Sequence, residues 1–116
     1  MKRQLAEASG RAAEDEAARW LSAKGWTVLA KRVKTRAGEI DLIMQEGETL
    51  VFVEVKYRRR AADLDTAIDE YRLARVAAAA ESVAADYADG PTDLRIDVVL
   101  LAPGAEPRHI ENAWQP

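Results

Sequence analysis

The chain has 116 residues, of which 17 are Lys or Arg and 20 are Asp or Glu, giving a formal net charge of -3. That length suits one domain spanning 1–116. With no cysteine and a single histidine, His109, there is no basis for a disulfide framework, a thiolate nucleophile, a zinc ribbon, a histidine triad or a multi-histidine metal site. Any chemistry falls to carboxylates and lysine.

Hydrophobic residues are 48% of the chain, but 23 alanines are among them, which predicts a lean and partly helical core. The opening Met1-Lys2-Arg3-Gln4-Leu5 builds no apolar leader segment, and no run approaches the ~20 apolar residues of a membrane span. A soluble, cytoplasmic protein with no membrane contact is the expectation. A sequence pI near 5.2 argues at first against a nucleic-acid partner. The distribution argues the other way. Residues 17–38 hold Arg19, Lys24, Lys31, Arg32, Lys34 and Arg36 with no acid, and 55–62 hold Lys56, Arg58, Arg59 and Arg60 with none. Residues 63–93 hold eight acids against Arg72 and Arg75, so a basic face and an acidic face are both available.

In chain order, residues 5–24 are rich in Ala, Glu and Arg and predict a helix that stops at Gly25. Trp26–Val33 reads as a strand, with a turn at Thr35–Gly38. Glu39–Met44 alternates polar and apolar residues, Glu46-Gly47-Glu48 supplies a turn, and Leu50–Tyr57 is a Val- and Phe-rich strand, completing an antiparallel meander. Asp65 and Thr66, with Asp69 three residues after Thr66 as in a capping box, announce a second helix. Its seam is Leu73, Val76, Ala80, Val83 and Tyr87, and Asp89-Gly90-Pro91 ends it. Leu94–Leu101 follows as a strand and Arg108–Trp114 as a short last one. The fold class is α/β (α+β), an αβββαβ order with one mixed sheet and two flanking helices.

Three acids interrupt apolar patterns. On a helical wheel Glu14 falls within the stripe of Gly10, Ala17, Ala18 and Leu21, unless the helix is rotated to leave it at the edge, while Asp15 and Arg19 form an outward i, i+4 pair. Strand alternation puts Glu39, Asp41 and Ile43 on one face, opposite to Ile40, Leu42 and Met44. In the next strand Phe52, Glu54 and Lys56 share a face. A two-residue turn at Gly47-Glu48, with Gly first as a type II′ turn prefers, sets Asp41 opposite Glu54 and Glu39 opposite Lys56. A register shifted by two sets Glu39 opposite Glu54 instead, on the same face. Opposed carboxylates in a strand as apolar as Leu-Val-Phe-Val-Glu-Val need compensation. A hard, oxygen-ligated cation, Mg²⁺ or Mn²⁺, supplies it; a structural network in which Lys56 and a nearby Arg neutralise the acids is the alternative. Asp followed by Glu-x-Lys on the next strand also supplies the parts for metal-assisted phosphodiester hydrolysis, the lysine orienting water and offsetting charge at phosphorus.

Gly38-Glu39-Ile40-Asp41-Leu42-Ile43 followed by Val51-Phe52-Val53-Glu54-Val55-Lys56-Tyr57-Arg58 resembles the YraN-like family of small bacterial proteins, of the restriction-endonuclease-like PD-(D/E)xK superfamily, similar to archaeal Holliday-junction resolvases. Gly10-Arg11-Ala12-Ala13-Glu14 and Arg95-Ile96-Asp97-Val98-Val99 extend the resemblance over nearly the whole chain, as does Glu111-Asn112-Ala113-Trp114. The resemblance implies an Mg²⁺- or Mn²⁺-dependent endonuclease acting on DNA, branched or flapped DNA included. Asp41 and Glu54 would be metal ligands, with the Val55 carbonyl and Glu14 completing the set. Lys56 would be catalytic and Glu39 a supporting neighbour. Two positions depart from the pattern, Ala13 for a glycine and Arg72 for a lysine; Arg72 keeps the charge but is a poorer proton-transfer group. Lys34 and Arg36 before the site, Arg58, Arg59 and Arg60 after it, and Arg72 would contact DNA phosphates. Trp20, Trp26 and Trp114 read as core or interface anchors. A homodimer would enlarge the small surface offered to a junction. A nucleic-acid-binding or adaptor protein of the same fold with little turnover is the alternative, and a small interaction module with a structural charge network the third.

Overall fold

A computed structural model describes residues 2–90 and 92–115, with side chains from residue 10 onward. Helix α1 (Lys2–Ala23) leads to β1 (Thr27–Lys34), β2 (Glu39–Glu46) and β3 (Thr49–Tyr57), then to α2 (Glu70–Val83), β4 (Asp93–Leu101) and β5 (Arg108–Ile110). The strands form one mixed sheet in the order β1-β2-β3-β4-β5. All pairings are antiparallel except β3 with β4, which run parallel from Thr49↔Asp93 to Tyr57↔Leu101. A parallel pair needs a crossover longer than a hairpin, and α2 provides it.

The central strands are nearly continuous in apolar residues because both of their faces are covered. On the α2 side Ile43, Phe52, Leu64 and Val98 are met by Leu73, Val76 and Ala80 of the helix. Against α1 lie Leu42, Met44, Val51, Val53 and Val99, met by Ala13, Ala17, Ala18, Leu21 and Trp26. The alanines of α1 are thus its contact surface, where small side chains bring the helix close to the sheet. The helix ends where expected: Gly25 takes a φ of 97° and Trp26 N–H reaches back to Leu21 O at 3.3 Å, satisfying a terminal carbonyl.

Several boundaries and faces differ from the sequence expectation. Helix α2 begins at Glu70, not at Asp65–Thr66. Asp69 is its cap, accepting from Tyr71 N–H at 2.9 Å and Arg72 N–H at 3.3 Å. Thr66 turns its hydroxyl to Asp63 O instead, because Ala61–Thr66 is a 3-10 turn that buries Leu64. The helix stops at Val83 and a 3-10 turn, Ala84–Asp86, carries the chain to Tyr87, which packs with Val83 at the rim of the core. Pro91 lies outside the described residues. The last strand is Arg108–Ile110 alone, since Asn112 turns with a φ of 53°. On α1, Gly10 is exposed and Ala13 takes its place in the buried stripe. Asp15 pairs with Lys31 of β1 at 2.9 Å, not with Arg19, because the helix lies along that strand.

Candidate functional site

The hairpin of β2 and β3 closes on the two-residue turn Gly47-Glu48, with Gly47 at a φ of 59° as a type II′ turn requires. This fixes the register from Glu46↔Thr49 to Leu42↔Val53. The same register carries Asp41 to Glu54, but the paired ladder stops one step short of them. Strict alternation also fails there: Ile40 joins Ile43 on the α2 side, whereas Leu42 lies on the α1 side. At this break the Asp41 side chain enters the gap between strands, its Oδ2 accepting from Val55 N–H at 2.8 Å. Because the ladder ends at Leu42↔Val53, the expected opposition of Glu39 and Lys56 does not form either, and Glu39 keeps only its pairing on the other side of β2, with Lys34 of β1.

Asp41 is 7% exposed and Glu54 3%. Burial, followed by the hydrogen bond and charge of Glu54, pushes the Asp41 carboxyl up to about 9 against the opposing pull of Val55 N–H. A carboxyl held there carries a proton at neutral pH. Glu54 is met from the helix side by Arg72, whose Nε donates to Oε2 at 2.7 Å. The Glu54 carboxylate in turn raises the Arg72 guanidinium above its usual value. Arg72 therefore faces the acids rather than standing clear of them. Lys56, two residues beyond Glu54 on the same face of β3, is half-buried.

Glu14 approaches the pair from α1. Its side chain is 14% exposed and its Oε1 accepts from Arg32 Nη1 at 3.0 Å. Arg32 also lies 3.6 Å from Asp15. The two acids raise the Arg32 guanidinium, Glu14 by hydrogen bond first. Around them Gly10, Arg11, Glu14, Arg32, Lys34 and Glu39 line a cleft of about 540 Å³ between α1 and β1. An opening of about 590 Å³ lies at the other end of the sheet, lined by Glu48, Asp89 and Asp93 and by no basic side chain.

The residues fit a hard cation in chemistry: Asp41 and Glu54 are neighbouring, buried oxygen donors whose charges need an external partner. In this side-chain arrangement, however, no group of three or more Asp, Glu or His among the described residues forms a metal cage. Glu14 is held by Arg32 and stands apart from that pair's ligand geometry. Of the basic residues expected to meet phosphate, Lys34 lines the cleft and Arg36 is exposed in the β1–β2 turn. Arg58 donates to Tyr57 O at 2.8 Å, Arg59 is exposed, and Arg60 pairs with Asp63 at 3.3 Å.

Two features escaped the sequence reading. One is Arg32, whose backbone is left-handed at a φ of 54° within a strand. The other is Asp97, an acid between Ile96 and Val98 whose sequence signal was the same as that of Asp41. Asp97 is 0% exposed and accepts from Arg95 Nε and Nη2 at 2.8 and 2.9 Å and from Asn112 N–H at 3.0 Å. His109 Nε2 lies 2.7 Å from its Oδ2. The His109 ring packs edge-on against Trp20 and Trp26 with centroids 6.0 and 5.2 Å away, so two of the three tryptophans are anchors of this network.

Among the described residues no helix is long and apolar enough to cross a membrane. Comparison with known proteins finds proteins described as UPF0102 proteins. One from Erythrobacter litoralis is 66% identical over the whole of both chains. Another from Sphingopyxis alaskensis is 54% identical, again over all of both chains. A third, from Rhizorhabdus wittichii, is 54% identical over 97% of this chain and 96% of its own. The model of uncharacterised protein family UPF0102 matches residues 13–101, a span that includes Glu14, Arg32, Asp41, Glu54, Lys56 and Asp97, and the chain belongs to that family.

Proposed function

We propose that this protein is a metal-dependent nuclease that hydrolyses DNA phosphodiester bonds, branched or flapped DNA included, and that its likeness to PD-(D/E)xK enzymes and archaeal junction resolvases extends to the site. The reading is carried by one observation: Asp41 and Glu54 are buried side by side at a break in the β2–β3 ladder, with too few cationic partners for both to be charged. Asp41, Glu54 and the Val55 carbonyl would hold Mg²⁺ or Mn²⁺, and Glu14 would join them on release from Arg32. The cation would supply Lewis-acid polarisation of the phosphate and lower the pKa of the attacking water.

The chain's own residues do the rest. Val55 N–H holds Asp41 in the gap, fixing one carboxylate oxygen, and Arg72 fixes one oxygen of Glu54. Lys56, following Glu54 on the same strand face, would orient the attacking water and balance charge on the phosphoryl oxygens. Glu39 supports the rim beside Lys34. Arg58, Arg59, Lys34 and Arg36 position the DNA backbone, and a homodimer would double that surface.

Cleavage of supercoiled plasmid and of a four-way junction, with Mg²⁺ or Mn²⁺, tests the proposal on wild type, Asp41→Ala and Glu54→Ala. Loss of at least ~100-fold in both variants is expected. Absence of cleavage in the wild type, or equal cleavage in the variants, overturns it. The engagement of Glu14 by Arg32 and of Glu54 by Arg72 favours one second reading, a DNA-binding or adaptor protein without turnover. That reading expects salt-sensitive binding, weakened by changes at Arg58, Arg59 and Arg60, with no cleavage.

A further inference from the structure

Strand β1 is the exposed edge of the sheet, and Arg32 is its anomaly. Lys31↔Leu42 and Val33↔Ile40 keep one register on either side, so Arg32 falls level with Asp41. The strand neither gains nor loses a residue there, yet the backbone turns left-handed at a φ of 54°. An arginine gains nothing from that conformation by itself, and glycine or asparagine would adopt it more easily. What the excursion changes is the aim of the side chain. The guanidinium is turned into the cleft shared with Arg11, Lys34, Glu14 and Glu39. Strained residues of this kind are retained where a site needs the direction they give.

The cleft's chemistry points to an anion. Three cations face two carboxylates in a space of about 540 Å³ open to solvent. Arg32 meets Glu14 and Asp15 through Nη1 alone, and among the described residues its other nitrogens make no hydrogen bond. A planar fork with donors to spare, beside a lysine and a second arginine, matches a phosphodiester.

We propose that this cleft seats a backbone phosphate of the nucleic acid, with Arg32 as its principal ligand and Glu14 as the carboxylate that occupies the guanidinium in the free protein. The assignment rests on the nuclease reading for the identity of the strand it receives, one that passes Asp41. Entry of the phosphate transfers Arg32 from Glu14 to the ligand. Glu14, released from Arg32, then becomes available to the acidic pair, so nucleic-acid and cation binding reinforce each other.

Fluorescence anisotropy with a labelled duplex oligonucleotide, in EDTA, tests the seat without any metal. Arg32→Gly suits the left-handed backbone, so its thermal midpoint should stay level or rise while affinity falls about tenfold and the salt slope drops by about one. Glu14→Gln, which removes the competing carboxylate, should tighten binding about threefold. Oligonucleotide affinity unchanged in Arg32→Gly overturns the seat and leaves the nuclease reading standing. Binding that depends on Arg32 without any cleavage supports the seat and counts against turnover. A wild type that binds inorganic phosphate through Arg32 in calorimetry, but no oligonucleotide, overturns the nucleic-acid assignment.

Discussion

Asp41 and Asp97 are both aspartates buried in central strands, and they are solvated by the protein in opposite ways. Asp97 has Arg95 along one edge, the Asn112 N–H and the His109 ring, which together satisfy both oxygens. Asp41 has one N–H donor, from Val55, and a second carboxylate as its neighbour. The first arrangement ties β5 and the following turn to β4 and leaves no capacity for a ligand. The second leaves oxygen atoms and negative charge in search of a cation or a proton. Burial alone does not distinguish a structural acid from a functional one; the supply of donors does.

Removing each acid should therefore have opposite consequences. Asp97→Ala leaves the buried His109 ring and the Asn112 N–H without their acceptor and Arg95 with only its outer partners Glu46 and Glu111, and should cost about 3–5 kcal/mol, a fall in thermal midpoint of well over ~10 °C. A small loss in calorimetry would break the comparison. Mn²⁺ should stabilise the wild type by about 2.7 kcal/mol at a hundredfold excess over its dissociation constant, and Asp41→Asn should abolish that shift. An equal shift in both would move the cation elsewhere.

Without metal, Asp41→Asn should raise stability at pH 8 by on the order of 1–2 kcal/mol, measured by urea unfolding, since the amide is neutral in both states and folding no longer has to take up a proton. The pH dependence has a definite sign. The folded-state carboxyl near 9 lies above its ordinary 3.8, so its stabilising contribution is complete below about pH 4 and is lost as pH rises through 9. Metal-free wild type should weaken over that range and Asp41→Asn should not. Saturating Mn²⁺ should oppose the decline, because a cation favours the ionised form. The smallest effect is expected at Arg60, 81% exposed in its pair with Asp63, where Arg60→Ala should change stability by less than ~0.5 kcal/mol.

Much of the site was legible because its determinants are local. Gly47 at the first position of a two-residue turn fixes the register, and the register carries Asp41 to Glu54 over fewer than ten residues on each strand. The helix boundaries were less legible, since Asp69 and Thr66 are both competent caps and burial of Leu64 in a 3-10 turn decided between them. Arg72 was read as a phosphate contact, but its reach to Glu54 joins residues 18 apart and depends on how α2 lies on the sheet. Asp97 interrupts an apolar strand as plainly as Asp41 does, but its structural role was not legible because its donors at residues 95, 109 and 112 gather only when β5 folds back on β4.

The sequence by itself determined the element order, the antiparallel hairpin, the absence of sulfur and imidazole ligand sets, and the placing of Asp41, Glu54 and Lys56 on adjoining strands. These follow from periodicity, turn chemistry and composition, which act within a few residues. Only the tertiary structure decided which acids are satisfied, that Glu14 is held by Arg32, and that the edge strand turns left-handed beside Asp41. Donor supply and electrostatic environment are sums over neighbours brought from distant parts of the chain, and no local pattern encodes them.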